Sequence, residues 1–565
     1  AAAYADFLPV WSDEAFMRRV LFALAVIAGI LFFTALGRHG LLEPDEGRYS
    51  EIPREMLETR DFVTPRLNYV KYFEKPVFHY WLTAASFAAF GQNEWASRFW
   101  PAFLGVCGAL FTAFLAARSG NLRKAFLAGF VLSTSLLFYA SSHINLTDMT
   151  LSFFLTVALG GFHLGYTSGD RKFYLLLYAG MALATLSKGL IGIVLPGAVI
   201  FCFMLATRDF RIAWRTLAPS GILLFFVLVV PWFWTVCSRN PDFFHFFFVR
   251  EHFLRYTTML HGRYEPVWFF IPILVAGLVP WTGFFVSAIA GALPGRLRSF
   301  GTEKRAELFF LIWFAVVFAF FSFSRSKLIP YIIPCLPPVA VLTGGCLDAM
   351  LSGAGAKRDR FAAISTSVLL ALFGAALLGY AAFGGRYPAA TLLWYAAIPS
   401  VALFAAAAAA WAMTRPEYRT KALAAFCILS FLFCLSLKPL FGFLGHHLSA
   451  RETADLIRRN SGPDDIIAQY AEYDQGIPFY LGRRVVLVRY LGELEFGAMQ
   501  EPDPSWFIGD EAFTKLWNGD RRVVLVVEAG HKDRLFPAGT PQPVLLGATE
   551  RGLVIANTPK EATAP

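Results

Sequence analysis

Long blocks of apolar residues constrain this chain more than any other feature of its sequence. About thirteen such blocks, each roughly 15 to 23 residues long, follow one another, and a helix needs ~20 apolar residues to cross the hydrocarbon core of a bilayer. Only 16% of the residues are charged and 56% are hydrophobic, whereas about 25% are charged in soluble domains. The sequence therefore predicts a mostly α-helical protein that crosses a membrane many times.

Short polar loops separate the predicted spans. The spans lie near residues 20–36, 99–117, 125–141, 149–166, 173–187, 190–207, 217–236, 267–290, 308–323, 331–350, 361–383, 392–413 and 422–437. Arg18 and Arg19 precede the first block, which ends without the small-residue pattern of a signal-peptide cleavage site. The first span is therefore expected to stay in place as an anchor.

Basic residues are concentrated in alternate loops, and this accounts for the net charge of +10. Loops rich in Lys and Arg face the cytoplasm, which places residues 37–98, residues 238–266 and the chain after Lys438 on the outer side. Charge distributed in this way orients a membrane protein, so nucleic acid is not an expected partner. The seven cysteines show no paired spacing typical of disulfides or zinc sites.

The first external loop and the end of the chain depart from the pattern of simple spans. Residues 46–58 alternate apolar and charged positions, and the apolar block at residues 76–90 has only 15 residues, so both are predicted to be interfacial helices. After about residue 440, short apolar runs alternate with polar stretches. We therefore predict a transmembrane domain at 1–440, including external loops 37–98 and 238–266, and a small soluble α/β domain at 441–565.

Acids and bases are unusually dense in the first external loop. Asp45 follows Pro44 at the start of a helical stretch, so it is either a helix N-cap or a functional acid, and the pattern does not decide between them. Lys75 precedes the second helix, where an ammonium and the N-terminal amides could hold a phosphate; the alternative is a lysine that reaches for the interface. Arg48 and Glu74 lie beside these two residues.

Three further positions add charge at the outer ends of spans. Asp148 starts the fourth span, where it too could be a cap, and Lys188 is a cation at the same level. Arg255 lies in an external loop that mixes basic and aromatic residues and suits a charged lipid headgroup. Glu74 with His252 or His261 could bind a divalent ion, although such histidines more often only form hydrogen bonds. No cofactor is required by this interpretation, and no HExxH or paired CxxC motif is present.

Seven segments together carry a resemblance to a known family. They are EPDEGRYSEIPREM, YFEKPVFHYW, NEWASRFWPA, NLTDMTLSFF, LATLSKGLIGIVLPG, VREHFLRYTTMLHGRYEPVWFF and SRSKLIPYIIPCLPP. In this order they resemble the bacterial lipid A aminoarabinose transferases, relatives of the protein O-mannosyltransferases in the GT-C fold class. The resemblance runs from about residue 40 to 350, and only the broad layout matches beyond residue 360.

The resemblance implies transfer of 4-amino-4-deoxy-L-arabinose from undecaprenyl phosphate to the phosphates of lipid A, on the periplasmic side of a bacterial inner membrane, with resistance to polymyxin and cationic peptides as the result. It implies that Asp45 and Asp148 are functional acids and that Lys75 binds the donor phosphate, with Arg48, Lys188 and Arg255 as additional phosphate ligands. The expected partners are the donor lipid, lipid A and membrane lipids, and the chain is expected to be a monomer.

Two other functions compete with this interpretation. A transferase of the same class could use a protein hydroxyl or another envelope glycan as its acceptor, with the same acid and phosphate ligands. A lipid-linked sugar transporter or flippase would place ionisable groups near the bilayer centre and show repeated halves with broken helices, neither of which the spans show. The charges instead collect at the external ends of the spans, which favours an enzyme.

Overall fold

The computed structural model describes residues 14–254, 265–292, 302–353, 356–385, 387–537 and 542–559. Within them the chain forms two compact units. The first unit contains residues 1–35, 101–143 and 147–440, and the second contains residues 36–100, 144–146 and 441–565. The first external loop therefore belongs to the same unit as the C-terminal residues, an association that the sequence did not suggest.

Each of the thirteen apolar blocks is mainly helical, and two of them are interrupted. The helices that lie wholly in the first unit are Glu14–Phe33, Leu122–Thr134, Leu136–Ser141, Thr147–Ser168, Tyr174–Lys188, Ile191–Thr207, Arg211–Thr216, Pro219–Arg239, His245–Leu254, Phe270–Gly277, Thr282–Ala292, Thr302–Phe323, Leu336–Leu351, Ala356–Phe383, Ala389–Ala412 and Arg419–Ser436. Two helices have residues in both units, Glu94–Arg118 and Lys438–Leu448. Short 3₁₀ turns lie at Arg171–Phe173, Val267–Phe269, Ile329–Cys335 and Pro416–Tyr418.

The predicted count of about thirteen spans is not confirmed. In the part of the chain that the structure describes, nine helices are long and apolar enough to cross a membrane, or ten if a bent pair is one span. That pair, Val267–Gly277 and Thr282–Ala292, bends by 115°. The predicted span at 125–141 is interrupted at Ser135, where the backbone is extended and the next N–H, of Leu136, bonds to the carbonyl of Val279 instead of to its own helix.

The second unit begins with the helices and hairpin of the first external loop. Its helices there are Asp45–Thr59 and Phe78–Phe90, and a short hairpin pairs Arg66–Leu67 with Val70–Lys71. The second helix ends at Gly91, whose φ of +79° is a conformation that glycine adopts without strain. Both predicted helices of this loop are therefore present, although the second begins at Phe78 rather than at Pro76.

A six-stranded sheet forms the core of the C-terminal part of the second unit. In spatial order its strands are Phe507–Ile508, Val486–Val488, Ile466–Tyr470, Val523–Val527, Gly552–Ala556 and Val544–Thr549. The first four are parallel, and the last two are added antiparallel. The run VVLVV at the centre is buried at every position, as expected of a strand covered on both faces.

Helices cover this sheet and complete the α/β architecture. They are Arg451–Asn460, Gly476–Leu481, Glu495–Ala498, Asp510–Trp517 and Ala529–Leu535, with 3₁₀ turns at Gly492–Leu494 and Pro504–Trp506. The buried face of the sheet packs against aromatic side chains of these helices, including Phe513 and Trp517. The predicted C-terminal α/β fold is confirmed.

Candidate active site

Asp45 is the first residue of the helix Asp45–Thr59 and does not cap it. The N-cap position belongs to Pro44, which offers no side-chain hydrogen bond. The Asp45 carboxylate instead accepts a hydrogen bond from Nη1 of Arg48, one turn along the helix, at 3.1 Å. Its side chain is 47% exposed. The N-cap interpretation of Asp45 is therefore wrong, and its carboxylate remains partly open to solvent.

Arg48 is buried between two carboxylates. Its guanidinium contacts Asp45 and, at 2.6 Å, the carboxylate of Glu493 from the C-terminal domain. Glu493 also accepts hydrogen bonds from the side chains of Tyr72 and Gln475. Burial raises the pKa of the Glu493 carboxyl, while the Arg48 charge opposes that rise. The arginine therefore fixes the position of the Asp45 carboxylate relative to the C-terminal domain.

Glu74 and Lys75 lie together in the turn before the helix Phe78–Phe90. The Lys75 ammonium donates to the Glu74 carbonyl at 3.1 Å and is 3.9 Å from the Glu74 carboxylate. Both side chains are only 13% exposed. The ammonium thus lies in the turn that precedes the helix N-terminus, and its role as a phosphate ligand stays a prediction.

The predicted pairing of Glu74 with His252 around a divalent ion stays a prediction, because the His252 side chain lies outside the described residues. Arg255, the basic residue expected to bind the donor phosphate, also lies outside the described residues, and its role stays a prediction. Among the residues that are described, no group of three or more His, Cys, Asp or Glu side chains is arranged to hold a metal ion.

Asp148 and Lys188 form a close ion pair in the first unit. Asp148 lies in the first turn of the helix Thr147–Ser168, and Lys188 is the last residue of Tyr174–Lys188. Their charged groups are 2.5 Å apart, with side chains 9% and 7% exposed. The Lys188 ammonium also lies 4.4 Å from the centre of the Tyr331 ring. Two residues predicted separately are therefore one buried pair.

Sequence reasoning missed a second buried ion pair close to Asp45 in the chain. The Arg98 guanidinium donates to both carboxylate oxygens of Glu46, at 2.8 and 2.6 Å, and both side chains are fully buried. Glu46 also accepts from the backbone N–H groups of Leu42 and Asn145. Its pKa is lowered: burial by itself would raise it, but the charge and hydrogen bonds of Arg98 outweigh that effect. The carboxylate thus anchors the turn before Asp45.

Comparison with known proteins identifies the family. Residues 17–247 match the model for dolichyl-phosphate-mannose-protein mannosyltransferases, and residues 453–557 match the aminoarabinose transferase C-terminal domain. Two curated relatives are undecaprenyl phosphate-alpha-4-amino-4-deoxy-L-arabinose arabinosyl transferases. The one from Proteus mirabilis is 31% identical over 65% of this chain and 66% of its own length, and the one from Edwardsiella ictaluri is 30% identical over 68% and 71%.

Two solved structures of an ArnT protein match nearly the whole chain. The crystal structure of ArnT from Cupriavidus metallidurans bound to undecaprenyl phosphate matches with a TM-score of 0.82 and 29% identity, over 95% of this chain and 98% of that one. The structure of the same protein without ligand matches with a TM-score of 0.81. The helical membrane body, the segment of acids and bases at residues 37–98 and the α/β domain together define a membrane glycosyltransferase of the GT-C class.

Within that class, the chain belongs to the family of the undecaprenyl phosphate-aminoarabinose arabinosyl transferases. The sequence alignments span only about two thirds of the curated relatives, at 66% and 71% of their lengths.

Proposed function

We propose that this protein transfers 4-amino-4-deoxy-L-arabinose from undecaprenyl phosphate to a phosphate group of lipid A, at the periplasmic face of a bacterial inner membrane. The observation that carries the proposal is the structural match over 95% of the chain to an ArnT crystallised with undecaprenyl phosphate. The aminoarabinose transferase domain at residues 453–557 supports the choice of sugar. The added amine would offset lipid A phosphate charge and so give resistance to polymyxin and cationic peptides.

The reaction needs stabilisation of charge more than it needs proton transfer. An oxygen of the lipid A phosphate forms a bond to the anomeric carbon of the sugar, and the bond from that carbon to the donor phosphate breaks. Its electron pair leaves with undecaprenyl phosphate, so negative charge develops on the leaving group. Fixed cations placed near that phosphate stabilise the transition state without having to reorganise.

Lys75 is the residue we assign to the donor phosphate. Its ammonium is held by Glu74 in the turn before a helix, which supports its assignment as a preorganised phosphate ligand. Arg255 is assigned the same role from the resemblance. Arg48 and Lys188 already pair with carboxylates, at 3.1 Å from Asp45 and 2.5 Å from Asp148, and we assign them the orientation of those acids in addition to attraction of phosphate.

Asp45 need not act as a strong base. A serine or threonine acceptor would have to lose a proton, whereas a lipid A phosphate is already anionic near neutral pH, with a second ionisation near ~6. We assign the half-exposed Asp45 carboxylate to recognition of the cationic sugar amine and orientation of the acceptor. Asp148, which is buried with Lys188, is assigned as the second functional acid.

A protein hydroxyl is the second candidate acceptor, because residues 17–247 match a model of protein mannosyltransferases. The experiment is mass spectrometry of lipid A, with glycoprotein staining of the same cells, from a strain that lacks its own aminoarabinose transferase and carries either this gene or its Asp45→Asn variant. The proposal predicts aminoarabinose on lipid A with the native gene only. Unchanged lipid A together with altered glycoproteins would contradict it and support the protein acceptor.

A further inference from the structure

The segment that leads to Asp45 is held by residues of the C-terminal domain. The N–H of Leu41 donates to the Tyr480 hydroxyl at 2.8 Å, and the N–H of Glu43 donates to the Leu448 carbonyl at 3.0 Å. The Glu43 carboxylate accepts from the N–H of Gly476 at 2.8 Å. Together with the Glu46–Arg98 pair, these bonds hold the residues that precede the helix of Asp45, which has no side-chain cap.

Two glycines allow this loop and this helix to approach closely. A methyl group added to Gly476 would lie 2.1 Å from Oε1 of Glu43, and one added to Gly47 would lie 2.6 Å from the backbone nitrogen of Gly476. Such distances are far below van der Waals contact. The Glu43 carboxyl is therefore enclosed between the helix of Asp45 and the loop that contains Gly476, and burial raises its pKa well above the usual range.

The residues Asp474, Gln475 and Gly476, which we call the bracket loop, contact the chain on both sides of Asp45. Gly476 binds Glu43, two residues before Asp45. Gln475 donates to Glu493 at 2.5 Å, and Glu493 holds Arg48, three residues after Asp45. One short loop thus restrains both ends of the segment that carries the acid.

Arg551 holds the bracket loop in place. Its guanidinium forms a two-point ion pair with Asp474, whose side chain is 4% exposed. Arg551 lies in the turn between the strands Val544–Thr549 and Gly552–Ala556. The backbone N–H of Asp474 also donates to the side chain of Gln469 at 2.8 Å, on the strand Ile466–Tyr470. The loop is thereby attached to the sheet from two directions.

We infer that Arg551 and the bracket loop are positioning residues for the transfer reaction, acting through Asp45 without touching the substrates. This rests on the proposed function of Asp45. Loss of the Arg551 charge would leave Asp474 buried beside the Glu43 carboxyl without its partner, so the loop would shift and carry the Asp45 segment with it. A displacement of about 1 Å in a reacting group can lower a rate about 100-fold.

A matched control lies at the other end of the same strand. Arg522 pairs with Asp465 at 2.6 Å just before Ile466–Tyr470, with side chains 10% and 15% exposed, whereas Asp474 follows that strand. Among the residues that the structure describes, neither member of this pair contacts the bracket loop or residues 41–48. Arg551→Met and Arg522→Met therefore each remove a partly buried Arg–Asp pair from this domain, and only the Arg551 pair is linked through the bracket loop to Asp45.

The experiment measures transfer from radiolabelled donor lipid to lipid A by the purified full chain, together with its thermal unfolding midpoint. We expect Arg551→Met to lower kcat about 10- to 100-fold with KM changed less than about threefold. We expect Arg522→Met to keep the native kcat even if its thermal unfolding midpoint falls as much as that of Arg551→Met. Equal kcat in the native protein and Arg551→Met, or an equal loss in both variants, would overturn the inference.

A double-substitution cycle separates positioning from general destabilisation. In an Asp45→Glu background, whose carboxylate is already displaced, Arg551→Met should cost less than about threefold in kcat, because the two changes act on one group. A loss as large as in the native background would contradict the inference. A native protein that transfers no aminoarabinose would refute the proposed function instead, so the two failures are distinguishable.

Discussion

Replacement of Arg98 by Met tests how the turn before Asp45 is stabilised. The guanidinium makes five hydrogen bonds, two to Glu46 and three to the carbonyls of Leu36, His39 and Gly40 at 2.9 to 3.0 Å. Removal of one partner of a buried ion pair costs about 3–5 kcal/mol, because the remaining charge is left uncompensated. The three carbonyls lose their charged donor as well, at about 1–3 kcal/mol for each acceptor left unsatisfied.

Two bonds reduce this cost. The N–H groups of Leu42 and Asn145 still donate to Glu46, at 2.9 and 2.8 Å. We therefore expect Arg98→Met to destabilise the second unit by at least about 4 kcal/mol, which is about a thousandfold or more in its folded-to-unfolded ratio. The double variant Arg98→Met with Glu46→Leu should recover part of the loss, since an apolar pair of similar size leaves no buried charge.

The measurement is urea-dependent pulse proteolysis of the detergent-solubilised chain, followed at cleavage sites within residues 36–100. It reports the free energy of unfolding of that segment directly. A free energy for Arg98→Met within about 0.5 kcal/mol of the native value, the usual range for surface changes, would refute the assignment of Arg98 as the main anchor of this turn. A double variant less stable than Arg98→Met alone would contradict the role of the uncompensated Glu46 charge.

The remaining predictions concern the other buried charges. Lys188→Met should lower both transfer activity and the thermal unfolding midpoint, because it leaves Asp148 buried without its partner. Adding Asp148→Asn should restore the midpoint but not the activity. Restored activity in the double variant would exclude Asp148 from the reaction. Burial raises the pKa of the Glu43 and Glu55 carboxyls well above their usual pKa of 4.5. Their contribution to the free energy of unfolding is therefore fully present below the unfolded-state pKa and is lost as the pH rises through the folded-state pKa. Glu43→Gln should therefore raise the midpoint more at pH 8 than at pH 5, and an equal change at both would contradict this assignment.

Local patterns in the sequence were enough to predict the elements of the fold. Apolar blocks of suitable length predict helices because each must satisfy its backbone polar groups internally, and all thirteen blocks are mainly helical. The number of spans could not be obtained in this way. Block length does not show that the segment 125–141 breaks at Ser135, where a tertiary hydrogen bond from Leu136 to Val279 replaces a helical one.

The candidate site was predicted only where its residues are close in sequence. Arg48 and Asp45 share a helix turn, but the second partner of Arg48, Glu493, lies 445 residues away and no local pattern marks it. Asp148 and Lys188 were each predicted, yet their pairing depends on how two helices pack. Glu46 and Arg98 lay within the family segments, but only their burial distinguishes them from surface charges.

The most direct test of the central claim is a transfer reaction with purified components. Native protein, Asp45→Asn and Lys75→Ala would each be mixed with radiolabelled undecaprenyl phosphate-aminoarabinose and lipid A, with and without a chelator. The account predicts label on lipid A with the native protein, and a loss of at least about 100-fold in both variants, since each removes a group that we assign to the donor phosphate or the sugar. Full transfer by both variants, or no label on lipid A with the native protein, would contradict it.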